Sequence, residues 1–163
     1  EADLWLASAA FAEGVAAGLA LLDAGDQERG TATLAAALEL YAGDYLPDAL
    51  YDDWAAAERD RLLALYLRGA DQLAVARLAQ GRYDEAAELS LAMLARDRCH
   101  ERAYRLLMLA QARQGNRALA LRAYQRCAEA LRDELGVEPS PETVALHARI
   151  RQGSAELPSP AEV

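Results

Sequence analysis

The sequence predicts an all-α protein, a right-handed stack of antiparallel helix pairs closed by a short C-terminal capping helix. Three observations carry that prediction. Gly81 followed five residues later by Ala86 recurs as Gly115 followed by Ala120, a shift of 34 residues. Apolar residues around both copies fall at helical spacing, as in Ala120, Tyr124, Cys127 and Leu131. Ala and Leu dominate, while β-branched and aromatic residues are scarce, which favours helices over sheets.

The 34-residue shift is the period of the tetratricopeptide helix pair, so the stack is expected to be tetratricopeptide-like. Gly turns the chain tightly between two helices because it accepts positive φ without a steric cost. The Ala early in the second helix leaves room for the first helix to lie close. An Ala-rich bundle without true repeats is the competing fold.

Taken in order, Asp3 to Leu22 reads as a first helix with a stripe of Leu4, Ala7, Phe11, Val15 and Leu19 or Leu22. Asp23 to Asp26 breaks it. Thr31 to Tyr41 reads as a second helix, its first half weakened by Gly30. The stretch Tyr41 to Asp48 holds Gly, Asp and Pro beside two Tyr and a Leu. That much apolar bulk predicts a loop packed on a neighbouring helix, with a ligand loop as the alternative. From Asp52 a long helix begins, with Trp54, Leu62, Leu65, Gly69 and Leu73 at helical spacing and reaching as far as Gln80. The two copies of the repeat follow, and no third copy is legible. Gly136 is the expected end of the last repeat helix, with Val137 touching Leu131. Ser140-Pro141 opens the capping helix, Ser as N-cap and Pro at its first position, with Val144, Leu146 or His147, and Ile150 facing inward. The domain is expected to span 1–152. Residues 153–163 have linker composition, expected to be disordered or lightly docked.

Composition also limits function. The net charge of −9 argues against nucleic-acid binding by these residues. All 17 basic residues are Arg, and Asn116 and Ile150 are the only residues of their kinds, the imprint of a GC-rich genome. The chain opens without Met and is expected to be a piece of a longer protein. No run of about 18 apolar residues is read as a membrane span, and two cysteines make no disulfide framework, so a cytoplasmic location is expected.

Catalytic and metal-binding patterns are thin. His100 and His147 lie far apart in sequence, and neither C-x₂-C nor H-x₃-H occurs. Cys127 occupies a core-facing position and reads as a small hydrophobe. Neither an enzyme nor a cofactor is expected. A binding surface is the better candidate, since first helices of stacked pairs line a concave face. With Tyr104, Leu107 and Met108 turned to the core, the opposite face would show Arg102, Arg105, Leu109, Ala112 and Arg113. One repeat earlier it would show Arg68, Asp71, Val75 and Leu78. Arg68, Asp71, Arg102, Arg105, Leu109 and Arg113 are therefore the candidate site, suited to an acidic peptide or a carboxylate. Neutralising neighbouring Glu and Asp is the alternative use of the same arginines.

Several stretches resemble a known family. Tyr41-x-Gly43-Asp44-x-Leu46-Pro47-Asp48, Tyr51-Asp52-Asp53-Trp54 and Glu58-Arg59-x-Arg61-Leu62 are similar to the bacterial transcriptional activator domain. So are His100-Glu101-x-Ala103, Leu107-Met108 and Leu131-x-x-Glu134-Leu135-Gly136-Val137-Glu138-Pro139-Ser140-Pro141-Glu142-Thr143. The likeness runs from Leu4 to Ile150. It implies a regulatory, protein-interaction domain of an activator of the Streptomyces antibiotic regulatory protein type or a larger relative. An OmpR-like winged helix would precede it and make the DNA contact. Candidate partners are that domain, a second copy of the chain and RNA polymerase. A small-effector sensor and a peptide-binding adaptor remain the alternative functions.

Overall fold

The computed structural model describes residues 2–41 and 53–163. Among them there is no strand. Seven helices follow in order: α1 (Ala2–Asp23), α2 (Gln27–Glu39), α3 (Asp53–Ala79), α4 (Tyr83–Arg96), α5 (Glu101–Arg113), α6 (Arg117–Leu135) and α7 (Pro141–Gln152). The chain divides into two compact units, one ending at Leu73 and one starting at Ala74, with the division inside α3. Of the loop expected at Tyr41 to Asp48, all but Tyr41 lies outside the described residues, as do Tyr51 and Asp52.

In the first unit α1 packs along α2. Phe11, Val15, Leu34 and Ala37 are buried between them, with Ala55, Leu62, Tyr66 and Ala70 buried on α3. Tyr41 is buried too, stacked on Tyr66 at 4.6 Å between ring centroids and tilted against Phe11 at 5.1 Å. Trp54, placed by its spacing on the apolar stripe of α3, is instead exposed, and Ala55 turns inward.

Contrary to the sequence expectation, one helix has the length and apolarity of a membrane span. Trp5–Asp23 runs 19 residues at a mean hydropathy of 1.6. Ala and Leu supply that value. Phe11 and Val15 of the same helix are fully buried and Gly14 and Gly18 press on Ala37 and Leu34, so α1 serves as half of a helical hairpin.

The two repeat turns are built alike. Gly81 (φ 75°) and Gly115 (φ 79°) each donate their N–H to the carbonyl three residues back. The next residues, Arg82 and Asn116, donate five back, to Arg77 and Gln111. This is the pairing of a Schellman end. A third turn matches them. Gly25 (φ 86°) donates to Leu22 and Asp26 to Leu21. Gly30 then stands five residues after Gly25, where Ala86 and Ala120 stand in the other two. The sequence shows the break between these two helices but hides its likeness to the other turns, because Gly25 lies 56 residues before Gly81 rather than one repeat length. Gly30 does not interrupt α2, which runs from Gln27 to Glu39. A Cβ there would sit 2.6 Å from Leu22 Cδ2, so the hairpin closes because that position carries none.

In the second unit α5 packs against α4, α6 and α7. Ala86, Met93, Leu107, Met108, Ala120 and Cys127 are all fully buried. Burial pushes the Cys127 thiol up to about 12, the state of an inert packing group. Ion pairs close the joints. Arg77 Nε meets Glu85 at 2.9 Å across the α3–α4 turn, and Arg98 meets Glu134 at 3.0 Å. α6 ends at Gly136 in the left-handed region, with the Val137 N–H donated to the Leu131 carbonyl.

Candidate functional site

α5 is buried over most of its circumference, with its charged residues half-buried. Ala103, Tyr104 and every residue from Leu106 to Ala110 are buried, because three helices surround it. That corrects one site residue. Leu109 is 0 % exposed and belongs to the core, not to a displayed face. The side of α5 that helical spacing leaves open is covered, because α7 packs on the helix as well. Asp71 is likewise buried, at 8 % exposure, with its carboxylate accepting from Gln72 Nε2 at 3.2 Å. Arg68 is exposed on α3. Arg68 and Asp71 belong to the first unit, and Arg102, Arg105, Leu109 and Arg113 to the second.

Arg102, Arg105 and Arg113 are half-buried on α5. Arg105 and Arg113 are turned to the chain itself. Arg105 Nη1 donates to Thr143 Oγ1 at 3.0 Å and its Nε to the Val163 main-chain oxygen at 2.9 Å. Arg113 Nη2 donates to the Pro158 carbonyl at 2.8 Å. Residues 154–163 are therefore docked on the second unit rather than loose, and Val163 is only 6 % exposed.

The start of α7 is built around Glu101. Ser140 occupies the N-cap position and Pro141 opens the helix, but the Ser140 side chain caps no N–H of the first turn. Instead Glu101 Oε1 accepts the Ser140 N–H at 2.6 Å and the Thr143 hydroxyl at 2.6 Å. Thr143 is fully buried, so its hydroxyl needs both Glu101 and Arg105 as partners. Of the expected inward residues, Leu146 and Ile150 are buried and Val144 is exposed. His147 stacks on Tyr124 at 3.8 Å, its imidazole held below the usual range by burial and by Arg151.

Burial pushes the Glu101 carboxyl up, but the bonds from Thr143 and Ser140 and the charge of Arg105 outweigh it, leaving it below the usual range. A carboxyl lowered on folding stabilises the fold fully above its unfolded value, and the contribution is lost as pH falls through the folded value. Glu101→Ala is expected to cost about 2 kcal/mol at pH 7, the scale of hydrogen bonds to a charged group. Glu101→Gln keeps an acceptor oxygen and loses less. Urea melts between pH 7 and 3 check both. The wild type should lose more stability than Glu101→Gln below the ordinary Glu range, and parallel curves would refute the assignment.

Thr143 closes the family-like string, whereas Pro158 and Val163 take part in this arrangement without any motif to mark them. The only hint is Leu157 and Val163, apolar residues in a stretch otherwise of linker type.

A surrounded helix α5, matched Gly turns and an α7 held by Glu101 together describe a tetratricopeptide-like helical repeat domain. The chain belongs to the bacterial transcriptional activator domain family, which it matches over residues 6–151. It is 35 % identical over 134 residues to the regulatory protein AfsR of Streptomyces coelicolor, covering 82 % of this chain and 13 % of that protein. AfsR of Streptomyces griseus is 39 % identical over 82 residues, half of this chain and 8 % of that protein. A solved structure of Mycobacterium tuberculosis EmbR, in complex with a low-affinity phosphopeptide, aligns at a TM-score of 0.81 and 25 % identity. The alignment covers 95 % of this chain and 41 % of EmbR. The chain thus spans a small part of its Streptomyces relatives and under half of EmbR.

Proposed function

We propose that this domain is the regulatory, protein-interaction part of a bacterial transcription activator, working in the cytoplasm with a winged-helix domain outside these residues that makes the DNA contact. Family membership carries the reading, and the net charge of −9 supports placing DNA binding elsewhere. The partners in view are the winged helix, a second copy of the chain and RNA polymerase. A mobility-shift titration of this chain is the test. No shift is expected at micromolar protein in about 50 mM salt, and tight binding that weakens steeply with added salt would overturn the reading.

The sensor reading, a small acidic effector held by Arg102, Arg105 and Arg113, is less well supported, because Arg105 and Arg113 already donate to the chain's own oxygens. A saturable rise in melting temperature with one anionic metabolite, abolished by Arg102→Ala, would favour it.

A further inference from the structure

We propose that the face of the second unit formed by α5 and α7 is a peptide-binding surface whose resident ligand is the chain's own segment 154–163. α7 ends at Gly153 in the left-handed region, where the Ser154 N–H reaches back to the Arg149 carbonyl, and the chain reverses. The segment then runs antiparallel to α5, Pro158 meeting Arg113 at the end of the helix and Val163 meeting Arg105 two turns earlier. Both arginines hold main-chain oxygens, so they read the path of the peptide rather than its side chains.

Two features supply selectivity. The Val163 side chain is buried, an apolar anchor at one end. Between the two contacts, Ser159 and Glu162 close a turn on each other. The Glu162 N–H donates to the Ser159 carbonyl at 3.0 Å, and the Ser159 N–H to the Glu162 carboxylate at 2.7 Å. The Glu162 carboxylate supplies one arm of a capping box and the Ser159 carbonyl closes the turn from the other side, which preshapes the ligand and lowers its ordering cost. Charge agrees. Residues 154–163 carry Glu156 and Glu162 and no basic residue, and they share a cleft of about 520 Å³ with Arg113 and Arg149. Arg105 also binds Thr143, so release of the segment and loosening of the α7 start are coupled through one guanidinium. The proposal does not depend on the transcriptional reading: a chain that binds DNA would overturn the one without touching the other.

Hydrogen exchange on the full chain tests it. The Glu162 amide should exchange at least about tenfold more slowly than in the free peptide of residues 154–163. Arg113→Ala should remove most of that protection and leave the amides of α1 and α2 unchanged. Arg105→Ala should also speed exchange of the Val144 amide, which donates to Ser140 in the first turn of α7. Free-peptide rates in the wild type, or no change in Arg113→Ala, would overturn the proposal. A second arm uses the full chain with residues 154–163 scrambled and the native peptide, fluorescently labelled, added in trans. The peptide should bind the scrambled chain saturably and the wild type at least about tenfold more weakly, because a tethered ligand competes at millimolar effective concentration. Equal binding to both chains, or none to the scrambled chain by about 5 mM, would overturn it.

Discussion

Leu109→Ala is expected to destabilise the chain by about 2–5 kcal/mol, the range for truncating a fully buried leucine that leaves a cavity. For a chain of this size that lowers the melting temperature by roughly 10 °C. The size of the effect separates two placements of one residue. A leucine displayed on a binding face would cost within about 0.5 kcal/mol when shortened and would show its loss in ligand affinity. In the structure Leu109 is enclosed with Leu106, Leu107 and Met108 in the helix that α4, α6 and α7 surround. Differential scanning calorimetry decides between them. A melting temperature within a degree of the wild type would put Leu109 back on the surface.

Gly30→Val should destabilise by about 3 kcal/mol, at the upper end of ordinary overpacking. A Cβ on Gly30 would lie 2.6 Å from Leu22 Cδ2, 2.8 Å from Leu22 Cγ and 3.0 Å from the Leu22 backbone nitrogen. The side-chain atoms could rotate away. The backbone nitrogen moves only if α1 and α2 separate, and Leu34 and Ala37 are already packed at that crossing. Gly30→Ala is the finer test, because better helix propensity contributes about 1 kcal/mol against the clash, leaving a net loss of about 1 kcal/mol. At the matching position of the next hairpin the effect of removing a Cβ reverses. Ala86 already fits there, so Ala86→Gly relieves no clash and loses about 1 kcal/mol of propensity. Urea denaturation of the three variants gives the comparison, and a Gly30→Val protein as stable as wild type would refute the close crossing.

Much of the helical layout was legible because its signals are local. The Gly81 and Gly115 turns, the buried Ala86 and Ala120, and the start of α7 at Ser140-Pro141 each depend on residues within a few positions of one another. The first hairpin has the same local signals in Gly25 and Gly30, yet a search for a fixed period misses it, since it stands off the 34-residue register. The candidate site was legible only as residue types. In the sequence Arg105 and Arg113 stand out only as available guanidiniums, whereas their partners lie 38 to 58 residues away in Thr143, Pro158 and Val163.

By itself, then, the sequence determined that this chain is helical, how most of its helices begin and end, and which family it resembles. Those properties follow from propensity, turn chemistry and short strings of residues. Only the tertiary structure decided which side of α5 is covered, that Glu101 rather than Ser140 holds the start of α7, and that residues 154–163 lie against two arginines. Each of these joins groups distant along the chain, and burial and hydrogen-bond partners at such range are set by how the helices pack.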